Sequence, residues 1–216
     1  MEDLIGLLKI RIRRGINLVA RDTRTSDSYV VITRAQQACP ILSLSLSLGR
    51  HFTSLNLGLF DLRCLISGEE FRKVKTGVVR NTCNPEWNDE LTLSITDPNI
   101  PILLRVYDKD TFTSDDKMGD VEIDIKPYLE CMKKEFQNLP TGTVVDRVQP
   151  NSENCLGNES CIIWSNGKLV QDMSLRLRNV ERGEVEIQIE WLALPGSKGS
   201  RHEVRFIPLL IGQCLP

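Results

Sequence analysis

The sequence predicts an all-β fold, an antiparallel sandwich, on three observations. Short stretches alternate apolar and polar residues with a period of two. Turn signals punctuate them, Asn166-Gly167 above all. Only one stretch has convincing helical periodicity. A strand with one face on a shared core and the other in water must alternate, and many such short strands make a two-sheet sandwich.

From Leu8 to Arg13, Leu8, Ile10 and Ile12 point one way and Lys9, Arg11 and Arg13 the other. Ile102 to Tyr107 is more continuously apolar, the pattern of a strand covered on both faces. Lys126 to Phe136 is the helical stretch. Pro127 is tolerated in its first turn, where an amide proton would have no partner anyway. Tyr128 and Met132, with Leu129 and Phe136, fall on its inner face. Asn166-Gly167 then joins CIIW to KLVQD as a two-residue hairpin. Ser174 to Arg178 alternates, and Glu184 to Trp191 does so most cleanly of all.

At 216 residues the prior is one domain or slightly more. A formal net charge of −2 argues against a general nucleic-acid binder. No run reaches the roughly 18 apolar residues of a membrane span. The start, MEDLIGLLKIRIRR, lacks a signal-peptide pattern and a myristoylation glycine, and the end, GQCLP, is not a prenylation box. Any membrane contact is therefore expected to be peripheral. Seven cysteines without a C-x-x-C pair read as free thiols in a reducing compartment. Cys155 and Cys161, the nearest pair, are expected to be buried thiols. Asn158-Glu159-Ser160 matches a glycosylation sequon that a cytosolic chain would not use.

The aspartates carry the chemistry. Asp22 and Asp27 lie in RDTRTSDSY, and Asp108, Asp110 and Asp116 in YDKDTFTSDDKMGD, each after an apolar run. If the two loops meet at one end of the sandwich, five carboxylates share a small volume. Two unit charges about 4 Å apart repel by about 1 kcal/mol even in water. A hard cation that takes six to eight oxygens relieves this, which points to calcium. Solvated acids in two polar turns are the competing reading. An EF-hand is not: the sixth residue of DKDTFTSDDKMG is Thr113 rather than Gly, and the twelfth is Gly119 rather than Glu.

Residues 34–69 break the pattern, with few charges and a strict Leu-Ser alternation from Leu42 to Leu48. A strand with one leucine face would read this way, and so would a translated CT repeat. We take the stretch as a translated intron or gene-model error, which a transcript lacking these codons would support. It is expected to be extruded from the sandwich or disordered. Residues 200–216 look like an appended tail.

SDSYVV, NPEWNDELTLSITDP, VYDKDTFTSDDKMGD and the closing strand together resemble a C2 domain. The block from LPTGTVV to LALPGSKG resembles the extra signature of the plant C2-domain abscisic-acid-related (CAR) proteins, small single-domain chains. The resemblance covers Met1 to about Thr33 and Phe71 to Gly199. It implies one C2 domain over residues 1–199, interrupted at about 34–69, with a family insert at about 126–172. The implied fold is an eight-stranded antiparallel sandwich with a short helix and an extra hairpin. The implied calcium ligands are Asp22, Asp27, Asp108, Asp110 and Asp116, with the main-chain carbonyls of Arg21 and Lys109. Asp115 is the alternative to Asp116, whose D-x-D-x(5)-D spacing fits better. Arg72, Lys73, Lys75 and Arg80 resemble the lysine-rich strand with which many C2 domains meet anionic lipid; a solvated basic face is the competing reading. The resemblance further implies binding to an anionic phospholipid surface, recruitment of abscisic-acid receptors to it, stimulation of a GTPase in some members, and residence at the cell membrane, cytoplasm and nucleus. Ser28 departs from the proline usual between the loop aspartate and Tyr29, and the interruption falls where the family passes directly from strand to strand. The metal loops lie outside it and are expected to persist; the basic strand adjoins it and is the part open to displacement.

An enzyme is not expected. The two histidines, His51 and His202, have no Ser or Cys partner in a recognisable frame, and no phosphate-binding glycine loop occurs. A GTPase activator needs one well-aimed arginine, and Arg147, Arg176, Arg178 and Arg182 are equivalent candidates. A calcium-independent interaction module would use Trp164 and the adjoining Cys-Ile-Ile run, residues that otherwise read as core.

Overall fold

The computed structural model describes residues 5–21, 25–34, 74–134, 136 and 139–192. They form ten strands and one helix: β1 (Gly6–Ile16), β2 (Ser28–Arg34), β3 (Val74–Lys75), β4 (Glu86–Ile95), β5 (Ile102–Asp108), β6 (Asp116–Ile123), α1 (Lys126–Met132), β7 (Thr143–Val148), β8 (Ser160–Ser165), β9 (Lys168–Arg176) and β10 (Glu184–Leu192). One sheet has the order β4-β1-β10-β9-β8-β7 and the other β3-β2-β5-β6. Setting aside β7 and β8 leaves four strands in each sheet. The fold is thus the expected eight-stranded antiparallel sandwich with a short helix and an added hairpin. The segment 34–69, expected to be extruded or disordered, lies outside the described residues except for Arg34, which closes β2; the tail lies outside them too.

The core follows the alternation. Leu8, Ile10 and Ile12 of β1, Val30 and Ile32 of β2, Leu104 and Val106 of β5, and Ile187 and Ile189 of β10 are all buried between the sheets. β5 differs from expectation. It lies between β2 and β6, and its outward residues Leu103, Arg105 and Tyr107 are half-buried rather than covered. A strand central in its sheet is flanked on both sides by strands, which leaves its outward side chains half-buried. α1 is shorter than the periodicity predicts. The amides of Lys133 and Lys134 donate to the carbonyls three residues back, Glu130 and Cys131, which tightens and ends the last turn. Phe136 still reaches the sheet, its ring 5.9 Å from that of Trp164. Trp164 is half-buried against the core edge. Cys131 and Cys155 are buried free thiols, whereas Cys161, on the outward side of β8, is half-exposed rather than buried. No helix among the described residues is long and apolar enough to cross a membrane.

Register decides what meets at the functional end. Ser28 opens β2 opposite Asp108, the last residue of β5, and Asp108 in turn faces Asp116, the first of β6. Ile16 closes β1 opposite Glu184, the start of β10. The connections 17–27, 76–85 and 109–115 therefore leave the sandwich at the same end.

Candidate metal centre

The first connection turns at Asn17, whose φ of 51° is a left-handed conformation that asparagine tolerates. Its amide donates to Asn84 Oδ1 at 2.8 Å, and the Leu18 amide donates to the Cys83 carbonyl at 2.8 Å. The second connection is thereby stitched to the first. It also runs along β2: Ser28 and Val79 exchange amide–carbonyl bonds of 2.9 and 3.0 Å, and Thr82 N–H donates to the Ser26 carbonyl at 3.1 Å. Buried Ser26 holds the loop from within, accepting the Arg21 amide at 2.8 Å.

Asp27 is the hub. Its amide donates to Asp108 Oδ1 at 2.5 Å, and its carbonyl accepts the Lys109 amide at 2.9 Å. Its Oδ1 accepts the Asn81 amide at 2.9 Å, with the Arg80 guanidinium 3.9 Å from Oδ2. Asp108 is only 2 % exposed, the end of the inward-facing series Ile102, Leu104, Val106. Asp110 is half-buried two residues on, and Asp116 is exposed across the ladder from Asp108. The structure thus joins Asp27 and Asp108 directly and brings Asp110 and Asp116 to the same end. Among the described residues no three acidic, histidine or cysteine side chains converge into a finished cage. Asp22 lies outside the described residues. Arg21, whose carbonyl is a candidate donor, is exposed and directs its guanidinium to the Lys117 carbonyl at 3.4 Å. Asp27, Asp108, Asp110 and Asp116 offer carboxylate oxygen alone, a donor set that fits a hard cation such as calcium.

Asp115 belongs to a different group. Its Oδ2 accepts the Tyr29 hydroxyl at 2.5 Å, and its Oδ1 accepts Lys109 Nζ at 2.8 Å and the Asp110 amide at 3.2 Å. The Lys109 ammonium and the Tyr29 hydroxyl hold this carboxyl below the usual carboxylate range. Burial, and then the anionic partner, push the Tyr29 phenol up.

Of the basic set, Arg72 and Lys73 lie outside the described residues. Lys75 keeps its ladder position opposite Val31 and is exposed, its Nζ 6.0 Å from the centre of the Tyr29 ring. Arg80 is exposed beside Asp27. Both histidines lie outside the described residues. Sequence reasoning missed Phe112. It stands 97 % exposed at the tip of the 109–115 loop, far beyond Val78 at 41 % and Val144 at 39 %, the other exposed large apolar residues among those described. The one available signal was a single aromatic residue amid polar neighbours in the acidic loop.

An antiparallel sandwich with aspartate-rich loops gathered at one end is the architecture of a C2 domain, and the C2-domain family model matches residues 52–140. The chain is 51% identical over 197 residues to Protein C2-DOMAIN ABA-RELATED 8 of Arabidopsis thaliana, covering 91% of this chain and 98% of that relative. It is 45% identical over 196 residues to GTPase activating protein 1 of Oryza sativa subsp. indica, covering 91% and 97%. Among solved structures, the calcium-bound tandem C2 domains of extended synaptotagmin 2 superpose with a TM-score of 0.50 at 16% identity, over 90% of this chain and 48% of that one. The chain belongs to the C2-domain abscisic-acid-related family, a group of C2-domain regulatory proteins.

Proposed function

We propose that this protein is a calcium-dependent phospholipid-binding module that brings abscisic-acid signalling partners to membranes. The observation that carries the reading is the Asp27–Asp108 contact, which joins two loops far apart in sequence into one carboxylate-rich end. Calcium would be held there by Asp22, Asp27, Asp108, Asp110 and Asp116 with the carbonyls of Arg21 and Lys109, and would supply positive charge and spare coordination for a phosphate oxygen. Without it, the carboxylates repel an anionic surface. Phe112 projects from the same end and adds apolar contact once the end is drawn to lipid. Lys75 and Arg80, with Arg72 and Lys73, each add about 1 kcal/mol of attraction near an anionic leaflet. The single domain runs over residues 1–199, with its insert at about 126–172 as the surface open to receptor proteins.

The rice relative's name supports a second reading, regulation of a small GTPase. Of the candidate arginines, Arg147 is ion-paired to Glu159, and Arg178 donates to the Glu153 and Asn154 carbonyls at 3.2 and 3.3 Å. Either arginine would have to leave these partners to reach a nucleotide.

Co-sedimentation with phosphatidylserine vesicles, in calcium and in chelator, tests the main reading against an Asp108→Asn, Asp110→Asn variant. Pelleting is expected only for the parent chain and only in calcium. Soluble, folded protein that ignores vesicles in calcium would refute the lipid reading. Calcium-independent acceleration of GTP turnover without lipid would favour the second.

A further inference from the structure

We propose that Asp115 is a positioning residue for the calcium loop, not one of its ligands, and that Tyr29 is the post to which it is tied. The proposal rests on the calcium reading above. Asp115 and Asp116 are adjacent, but Asp116 opens β6 while Asp115 is the last residue of the loop before it. Asp116 faces Asp108, the end of the inward series. Asp115 instead meets Tyr29 and Lys109, on the outward side of the same sheet.

A carboxylate has about four lone-pair sites. Those on Asp115 are engaged by four hydrogen bonds: Tyr29 at 2.5 Å and Lys109 Nζ at 3.2 Å on Oδ2, and Lys109 Nζ at 2.8 Å and the Asp110 amide at 3.2 Å on Oδ1. The Tyr29 end of this clasp is rigid. Tyr29 lies in β2 directly opposite Tyr107 of β5, and the rings stack 5.7 Å apart at 22°. The Asp115 end therefore closes the 109–115 loop at its base against a strand.

The clasp acts on the ligand side in two ways. The Asp110 backbone is held in place by its amide, which orders one candidate carboxylate. The Lys109 ammonium is engaged by Asp115 at 2.8 Å. Without Asp115, that cation becomes available to the ligand carboxylates and competes with calcium.

Calorimetric calcium titration of the lipid-free full chain tests this, comparing parent, Tyr29→Phe, Asp115→Asn, and Asp115→Asn with Lys109→Met. Loss of one hydrogen bond in Tyr29→Phe is expected to weaken calcium roughly fivefold. Asp115→Asn is expected to weaken it by roughly tenfold, with the number of bound ions unchanged. Adding Lys109→Met should recover part of that loss, which a merely structural role for Asp115 would not allow. Unfolding temperatures in chelator monitor folding, and Tyr29→Phe carries the test if Asp115→Asn does not fold. Fewer ions bound in Asp115→Asn would make it a ligand and overturn the proposal, as would unchanged affinity in both single variants. A parent chain that binds no calcium would instead overturn the calcium reading and the clasp's role with it.

Discussion

Replacing Tyr128 with phenylalanine removes one oxygen and tests how α1 is tied to the six-stranded sheet. The residue is 1 % exposed. Its hydroxyl donates to the Leu169 carbonyl at 2.6 Å and accepts the Trp191 amide at 2.9 Å. The β9–β10 ladder ends at Glu190 opposite Val170, so Leu169 and Trp191 lie one step beyond its last pair. The hydroxyl fills that step from the helix. Burial pushes the phenol above its ordinary range, so it stays a donor through neutral and alkaline pH. Phenylalanine keeps the ring and its packing but loses both bonds, each worth about 1 kcal/mol net, and a buried polar group left unpartnered costs about 1–3 kcal/mol. The sum is about 3–5 kcal/mol. At about 2–4 °C per kcal/mol for a domain of this size, the unfolding temperature is expected to fall by about 6–20 °C. Thermal unfolding in chelator reads this directly, and urea unfolding should show a lower midpoint at an unchanged slope. A shift under about 2 °C would refute the reasoning, because it would mean the hydroxyl bridges nothing that water does not.

Phe112→Ser is expected to weaken calcium-dependent vesicle binding roughly tenfold, on the scale of one partly buried aromatic side chain, while leaving lipid-free calcium affinity intact; equal vesicle affinity would show that the tip stays in water. Gly119→Ala is expected to cost about 1–3 kcal/mol, because φ is +122° and a Cβ would stand 2.8 Å from Val180 Cγ1 and 3.2 Å from the Arg178 carbonyl. Denaturant unfolding checks this, and parent-like stability would sink it. A hydrogen bond from the Arg14 guanidinium holds the Glu186 carboxyl below the usual carboxylate range, against the opposing effect of burial. A lowered folded-state value stabilises above the unfolded value and is lost as pH falls through the folded one. Between about pH 5 and pH 3 the parent chain should therefore lose more stability than Glu186→Gln; parallel curves would show that the pair contributes nothing.

Strands with one wet face were legible because burial imposes a period of two: β1 and β10 lie where the alternation put them, and the Asn166-Gly167 turn joins β8 to β9. β7 gave no such signal, since a register shift between Val144 and Asp146 breaks its alternation. The end of α1 was not legible because the tightening at Lys133 and Lys134 depends on main-chain geometry that periodicity does not encode. In the candidate site, spacing suggested that two loops meet, and the Asp27–Asp108 contact joins them. Spacing favoured Asp116 and kept Asp115 as the alternative; the different partners of the two, Asp108 across the ladder for Asp116 and Tyr29 with Lys109 for Asp115, depend on folded contacts that spacing does not encode. Phe112 escaped because a lone exposed aromatic has no periodic neighbours.

The central claim is that calcium and lipid share one site, and linkage tests it most directly. If calcium strengthens binding to an anionic surface, the surface must strengthen calcium by the same factor. Calcium titrations of the full chain with phosphatidylserine vesicles, with phosphatidylcholine vesicles and without lipid measure that factor. The expected result is tighter calcium binding with phosphatidylserine alone, lost in the Asp108→Asn, Asp110→Asn variant. The same calcium affinity under all three conditions would contradict the account.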